Sequence, residues 1–187
     1  IDSFHKRYGY KKDDKVIVGI GIYSRRKGIV DFVELAKRLP EFKFIWFGSS
    51  PVSAATSDVK KALKESKDLP NIKFPGHVPQ EMIREALGGC DLYLFPTFEE
   101  TEGIPIIEAC AMETNTIIRD IPIFNYLTDG VNVYKAKDVN EFEKKIKMFL
   151  NGELKSVSKG ARKIAEACDI KTVGRKLKEV YEEVLEK

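Results

Sequence analysis

Apolar residues along this chain fall into two rhythms. Val16-Ile17-Val18-Gly19-Ile20 is a short, continuous, β-branched run, the pattern of a strand buried on both faces. Val30 to Leu39 instead puts Phe32, Leu35, Ala36 and Leu39 on one side of a helix, and Pro40 ends it. The two rhythms then alternate. Phe42 to Phe47 reads as a second strand closed by Gly48, followed by a helix around Asp58–Ser66 and a short strand, Asn71–Phe74. A helix is predicted from about Gln80 to Leu87, broken by Gly88-Gly89, and Asp91 to Phe95 makes a fourth strand. The loop Pro96–Gly103 leads into a helix near Pro105–Met112 and a strand at Thr116–Arg119. After a turn at Asp129-Gly130 and an extended piece, Val131–Tyr134, the remainder reads as helical. Its apolar stripes are Val139, Phe142, Ile146, Phe149 and Leu150, then Val173, Leu177, Val180, Tyr181, Val184 and Leu185.

Strands alternating with helices predict an α/β fold with a doubly wound parallel sheet. With no internal repeat, low-complexity tract or linker, residues 1–187 read as one domain. Ligands of such sheets bind at the carboxyl ends of the strands, so the informative loops are 21–28, 48–56 and 96–103.

Composition narrows the picture without changing it. With 43% hydrophobic and 33% charged residues, the chain is an ordinary globular protein. A net charge of +3, spread along the chain, gives no nucleic-acid footprint. Cys90, Cys110 and Cys168 lie in apolar or helical stretches without C-x-x-C spacing, so buried free thiols and a reducing, cytoplasmic compartment are expected. No apolar run approaches the ~20 residues of a membrane span, and the N-terminus has no signal-peptide pattern. Peripheral contact with the inner face of a membrane stays open. His5 is expected at the surface, His77 in a loop, and Trp46 in the core.

The loop after the fourth strand concentrates Glu99, Glu100, Glu102 and Glu108 within ten residues. Gly103 permits close backbone approach, Pro105 suits a first helical turn, and a helix start favours an anion. Carboxylates that accept from hydroxyls beside N–H groups that hold phosphate suit a sugar nucleotide; acids that merely cap a helix explain the same residues. No histidine lies near this loop and no D-x-D triplet occurs, so no metal is expected. The loop after the first strand carries Arg25, Arg26 and Lys27, cations able to neutralise a departing diphosphate, or simply a solvated basic turn. Gly19-Ile20-Gly21 raises the dinucleotide fold, but Ser24 stands where a third glycine belongs and no acid closes the second strand, which excludes NAD.

Glu100-Thr101-Glu102-Gly103-Ile104-Pro105-Ile106-Ile107-Glu108-Ala109 resembles the E-x7-E segment of retaining family 4 glycosyltransferases, with Thr101 replacing a glycine and Glu102 an aromatic. Gly21 to Gly28 resembles that family's G-R-L-x-x-x-K-G phosphate loop. Lys27-Gly28 matches, whereas the first arginine falls on Ile22. Pro75-Gly76-His77-Val78 resembles the loop whose backbone reads the nucleobase, Asp91 to Thr97 the strand before the acidic loop, and Asp129 to Asn132 the D-G-x-N turn. Ile1-Asp2 looks like the remnant of the hinge between two halves. Gly21-Ile22-Tyr23, Phe44 to Gly48, Glu99 to Gly103 and Arg119 to Phe124 together are similar to bacterial glycolipid synthases that move glucose from UDP-glucose to diacylglycerol or a monoglucosyl lipid.

The resemblance implies the Rossmann-like, donor-binding C-terminal half of a GT-B enzyme, its acceptor-binding N-terminal half absent. It implies retaining transfer without metal or other cofactor, and a UDP-sugar as partner. Arg26 and Lys27 would hold the diphosphate, the backbone of Thr101, Glu102, Gly103 and Ile104 the phosphate and hexose, and Val78 the base. Glu100 would hold hexose hydroxyls at the reacting centre and Glu108 the ribose. A different acceptor, a non-catalytic nucleotide-sugar-binding module and a sugar-nucleotide epimerase are the rival readings, the last requiring histidines that have no place here. A purely structural domain would have no reason to gather acids and cations at one sheet edge.

Overall fold

Six parallel strands stand in the order β3-β2-β1-β4-β5-β6 in a computed structural model that describes residues 2–185. They are β1 Val16–Ile20, β2 Lys43–Phe47, β3 Ile72–Gly76, β4 Leu92–Phe95, β5 Thr116–Arg119 and β6 Tyr134–Ala136. The helices are α1 Asp2–Tyr8, α2 Ile29–Arg38, α3 Ser57–Glu65, α4 Gln80–Gly89, α5 Ile104–Ala111, α6 Val139–Leu150, α7 Ser158–Ala167 and α8 Ile170–Leu185. The predicted doubly wound α/β fold is the observed one.

Strand side chains alternate between two cores because successive residues of a strand point to opposite faces. Ile17, Phe44, Trp46, Leu92, Leu94 and Ile117 meet α2, α3 and α6. Val18, Ile45, Phe47, Tyr93, Phe95 and Ile118 meet α1, α4, α5 and α7. Covered on both faces, the strands need no polar alternation, which is why their apolar runs are continuous.

Gly88-Gly89 ends α4 as expected, forming its last two residues, and Gly89 allows close packing there: a Cβ would lie 2.7 Å from Phe4 Cβ. That same close packing seats α1, which the sequence pattern did not reveal. Several expectations change. His5 is buried rather than at the surface, with Nδ1 2.8 Å from the Lys11 carbonyl. The extended piece after Asp129-Gly130 is offset, the strand beginning only at Tyr134. Cys110 is buried as expected, whereas Cys90 is half-buried and Cys168, in the turn between α7 and α8, is exposed. The apolar stripe of α8 faces outward, from Val173 to Leu185. Among the described residues no helix is long and apolar enough to cross a membrane. Of the hinge-like pair Ile1-Asp2, Ile1 lies outside the described residues.

Candidate functional site

Strand order reverses between β1 and β4, and in open α/β sheets that switch point is where a crevice forms at the carboxyl edge. The basic loop follows β1 and the acidic loop follows β4. Trp46 Nε1 donates to the Gly21 carbonyl at 2.8 Å, and a Cβ on Gly19 would lie 2.5 Å from Trp46 Cε3. The Gly-x-Gly pair therefore makes room for a buried indole, which explains it without a dinucleotide.

Arg25–Lys27 forms a 3-10 turn opened by Ser24, whose Oγ accepts from the Lys27 N–H, and closed by Gly28 at φ 78°. A Cβ at Gly28 would sit 2.2 Å from the Pro96 carbonyl oxygen, so the turn rests directly on the start of the acidic loop. Three further contacts cross this seam. The Phe98 N–H donates to the Arg26 carbonyl (2.8 Å), the Thr97 hydroxyl lies 3.0 Å from both the Arg26 and Glu99 carbonyls, and Arg26 Nη1 donates to Glu99 O at 3.0 Å.

Across the seam Lys27 Nζ pairs with Glu100 Oε2, their side chains only 16% and 10% exposed. Arg26 Nη1 stands 4.0 Å from Glu100 Oε1. Burial alone would raise the Glu100 pKa, but the Lys27 hydrogen bond, the Thr101 N–H and the charges of Lys27 and Arg26 together hold it below the ordinary 4.5. Arg25 points elsewhere, to Asp58 at 2.6 Å; the Thr56 hydroxyl and then Arg25 bring that carboxyl to about 2. Of the two arginines, Arg26 is the one that joins Lys27 at the acidic loop, while Ile22 adds an exposed apolar side chain.

The start of α5 offers fewer donors than its sequence suggests. The Thr101 N–H reaches back to Glu100 Oε1 at 3.2 Å, and Glu102 is exposed. Gly103 caps the helix at φ 75°, where a Cβ would meet the Phe124 ring at 2.8 Å. Pro105 has no N–H and the Ile106 N–H bonds to Gly103 O at 2.8 Å, so the exposed Ile104 supplies the N–H at the helix tip.

Glu108 stands in a separate cluster. Its Oε1 accepts from Gln80 Nε2, at the first residue of α4, at 2.6 Å. Two residues before Gln80, Val78 is half-buried and packs on the core beneath α4. Glu108 also lines a groove of about 510 Å³ with Ile107, Ala111, Arg162 and Cys168. Tyr93 is fully buried on β4. Burial first, then the charges of Glu108, Cys90 and Glu100, drive its phenol pKa well above 10. Another groove, of about 610 Å³ between β6 and α6, is lined by residues such as Lys135, Lys145 and Asp129 and by none of the candidate residues.

Two residues escaped the sequence reading of the site. Gln80 gives no local signal, since its partner is 28 positions away. Arg119 does, being a charged residue that closes an apolar strand. It is buried, donates Nε to Pro96 O (3.1 Å) and Nη1 to Lys137 O (2.7 Å), pairs Nη2 with Asp31, and lies 3.9 Å from the Phe98 ring centre. One guanidinium thereby holds the acidic loop, the segment after β6 and the first turn of α2.

The glycosyl transferases group 1 family matches residues 1–167. The processive diacylglycerol alpha-glucosyltransferase of Acholeplasma laidlawii is 35% identical over 186 residues, which are 99% of this chain and 55% of that protein. The alpha-galactosylglucosyldiacylglycerol synthase of Streptococcus pneumoniae is 33% identical over 124 residues, 65% of this chain and 33% of that one. This chain therefore spans about half, or less, of the length of these relatives. Among solved structures, Anabaena HepE in complex with UDP-glucose superposes with a TM-score of 0.84 at 18% identity, over 97% of this chain and 52% of that one. Sucrose-phosphate synthase from Thermosynechococcus elongatus gives 0.82 at 18% identity, over 99% and 49%. These likenesses show the fold, the Rossmann-like half of a GT-B glycosyltransferase. By the extent of its family match and its identity to the Acholeplasma enzyme, the chain belongs to the group 1 glycosyl transferases.

Proposed function

We propose that this chain is the donor-binding half of a retaining hexosyltransferase that takes glucose from UDP-glucose and passes it to a lipid acceptor, diacylglycerol or glucosyl-diacylglycerol. The single observation that carries the reading is the Lys27–Glu100 pair with Arg26 beside it, across the β1/β4 switch point. Phosphate oxygens compete with Glu100 for Lys27, and hexose hydroxyls compete with Lys27 for Glu100. A donor that offers both exchanges one ion pair for two sets of charge-assisted hydrogen bonds.

In the proposed reaction the acceptor hydroxyl attacks the anomeric carbon from the face the diphosphate leaves, the carbon–oxygen bond to phosphate breaks, and the hydroxyl proton passes to the departing diphosphate oxygen. Negative charge grows on the departing diphosphate. Lys27, Arg26 and the Ile104 N–H at the tip of α5 are assigned to stabilise it, with no metal invoked. Glu100 is assigned to the hexose hydroxyls, Glu108 to the ribose and the backbone at Val78 to the base, with Thr101, Glu102 and Gly103 forming the wall along phosphate and hexose. The lipid acceptor is proposed from the named relatives, diacylglycerol glycosyltransferases. The outward stripe of α8 is assigned to the N-terminal half, and peripheral attachment to the cytoplasmic membrane face to the assembled enzyme.

Calorimetric titration with UDP-, GDP- and ADP-glucose, without divalent metal, tests the donor. Saturation by UDP-glucose alone is the expected outcome. Preference for GDP- or ADP-glucose removes the reading.

A further inference from the structure

We infer that Gln80 is a specificity-determining residue that, together with Glu108, reads the 2′-hydroxyl of the donor ribose. The inference rests on the assignment of Glu108 to the ribose. Its own observation is the 2.6 Å bond from Gln80 Nε2 to Glu108 Oε1. Only the amide nitrogen can donate to a carboxylate, so chemistry fixes which way the Gln80 amide is turned. Its carbonyl oxygen is then an acceptor beside the carboxylate, and Glu108 keeps Oε2 as a second. Two adjacent acceptors complement the two O–H donors of a vicinal diol, which a carboxylate alone would have to satisfy by itself.

The place of the bond in the fold supports the same conclusion. Gln80 opens α4 immediately after the 75–79 loop assigned to the base, and Glu108 lies one turn into α5. Base and ribose are neighbours in a nucleoside, and the Gln80–Glu108 bond joins the elements assigned to each. A helix-opening glutamine has no need of a partner on another helix for the fold to stand, because both side chains lie near the surface. The bond orients the carboxylate and narrows its choice of ligand.

Calorimetry on the chain and on Gln80→Ala, with UDP and 2′-deoxy-UDP as probes, tests this. The unsubstituted chain is expected to prefer UDP by roughly tenfold, the discrimination of a site built around a substrate hydroxyl. Gln80→Ala is expected to lose that preference through weaker UDP binding, with 2′-deoxy-UDP affinity unchanged. A Gln80→Ala chain that keeps the preference, or loses affinity for both probes equally, overturns the inference. Glu108→Ala separates the two levels. If it weakens UDP binding while Gln80→Ala leaves discrimination intact, the ribose assignment stands and the Gln80 role falls. If it leaves UDP binding unchanged, both fall.

Discussion

Asp31, in the first turn of α2, and Arg119, at the end of β5, form an ion pair inside the protein, their side chains 17% and 6% exposed. The same guanidinium holds the Pro96 carbonyl, against which Gly28 also packs. The basic turn, the acidic loop and the segment after β6 are thus tied to one charged group. The loops of the candidate site are thus held from the strand ends by Arg119 as well as across their rim by Lys27 and Glu100.

Removing one partner of such a pair leaves a charge and two carbonyls without their partners. Arg119→Ala is expected to cost about 3–5 kcal/mol in urea unfolding. Arg119→Lys should fall between it and the unsubstituted chain, since an ammonium cannot span three acceptors with a planar fork. Equal stability of all three would show that the clamp is not what holds these loops together.

Gly28 has no tolerable substitute, for two separate reasons. Its φ of 78° is strained for any other residue, and a Cβ would meet the Pro96 carbonyl oxygen at 2.2 Å. Gly28→Ala is therefore expected to cost more than about 1 kcal/mol. That should lower the thermal midpoint by at least ~2–4 °C. Because the turn must move off Pro96, UDP affinity should fall with it; a variant as stable and as tightly binding as the parent contradicts the packing described.

How much of this could be read in the chain depends on what each element needs. Strands β1, β2, β4 and β5 were legible because burial on both faces demands unbroken apolar runs. The short α1 was not: its seven mixed residues are helical because Phe4 finds Gly89, which is tertiary packing. The three-residue β6, with Lys135 at its centre, had no apolar run to show. At the candidate site, Lys27 and Glu100 lie together because the loops after the adjacent strands β1 and β4 meet at the switch point. Gln80 was invisible because hydrogen bonding between helices leaves no mark on local pattern. Ile22 and the two arginines after it could not be ranked until Arg25 was found at Asp58 and Arg26 at the acidic loop.

Of the donor's groups, Lys27 should act on the diphosphate alone. Lys27→Ala is expected to weaken UDP binding by roughly 10–100-fold, the loss of a charge-assisted contact. Uridine, which lacks the diphosphate, should bind as before. Calorimetry with both ligands separates this from a general disturbance of the pocket, which would weaken uridine as well.

Glu100 gives the site a pH signature whose sign follows from its pairing. Burial raises its pKa, but Lys27, the Thr101 N–H and Arg26 outweigh burial, so the folded value lies below the 4.5 of an ordinary glutamate. The folded chain then holds this proton less tightly than the unfolded one, and the ionised pair stabilises the fold. That contribution is fully present above about pH 4.5 and is lost as pH falls through the folded value. Urea midpoints of the parent and Glu100→Gln, compared from pH 7 to 3, should differ by a constant amount at the upper end and converge below 4.5. A gap that persists undiminished at pH 3 would mean that the amide disturbs packing rather than an ion pair. The same variant bears on the donor: if Glu100 meets the hexose, Glu100→Gln should weaken UDP-glucose binding, while UDP binding, with Lys27 released to the phosphates, is kept or strengthened. Equal loss for both would mean that Glu100 acts by positioning Lys27 rather than by holding the sugar.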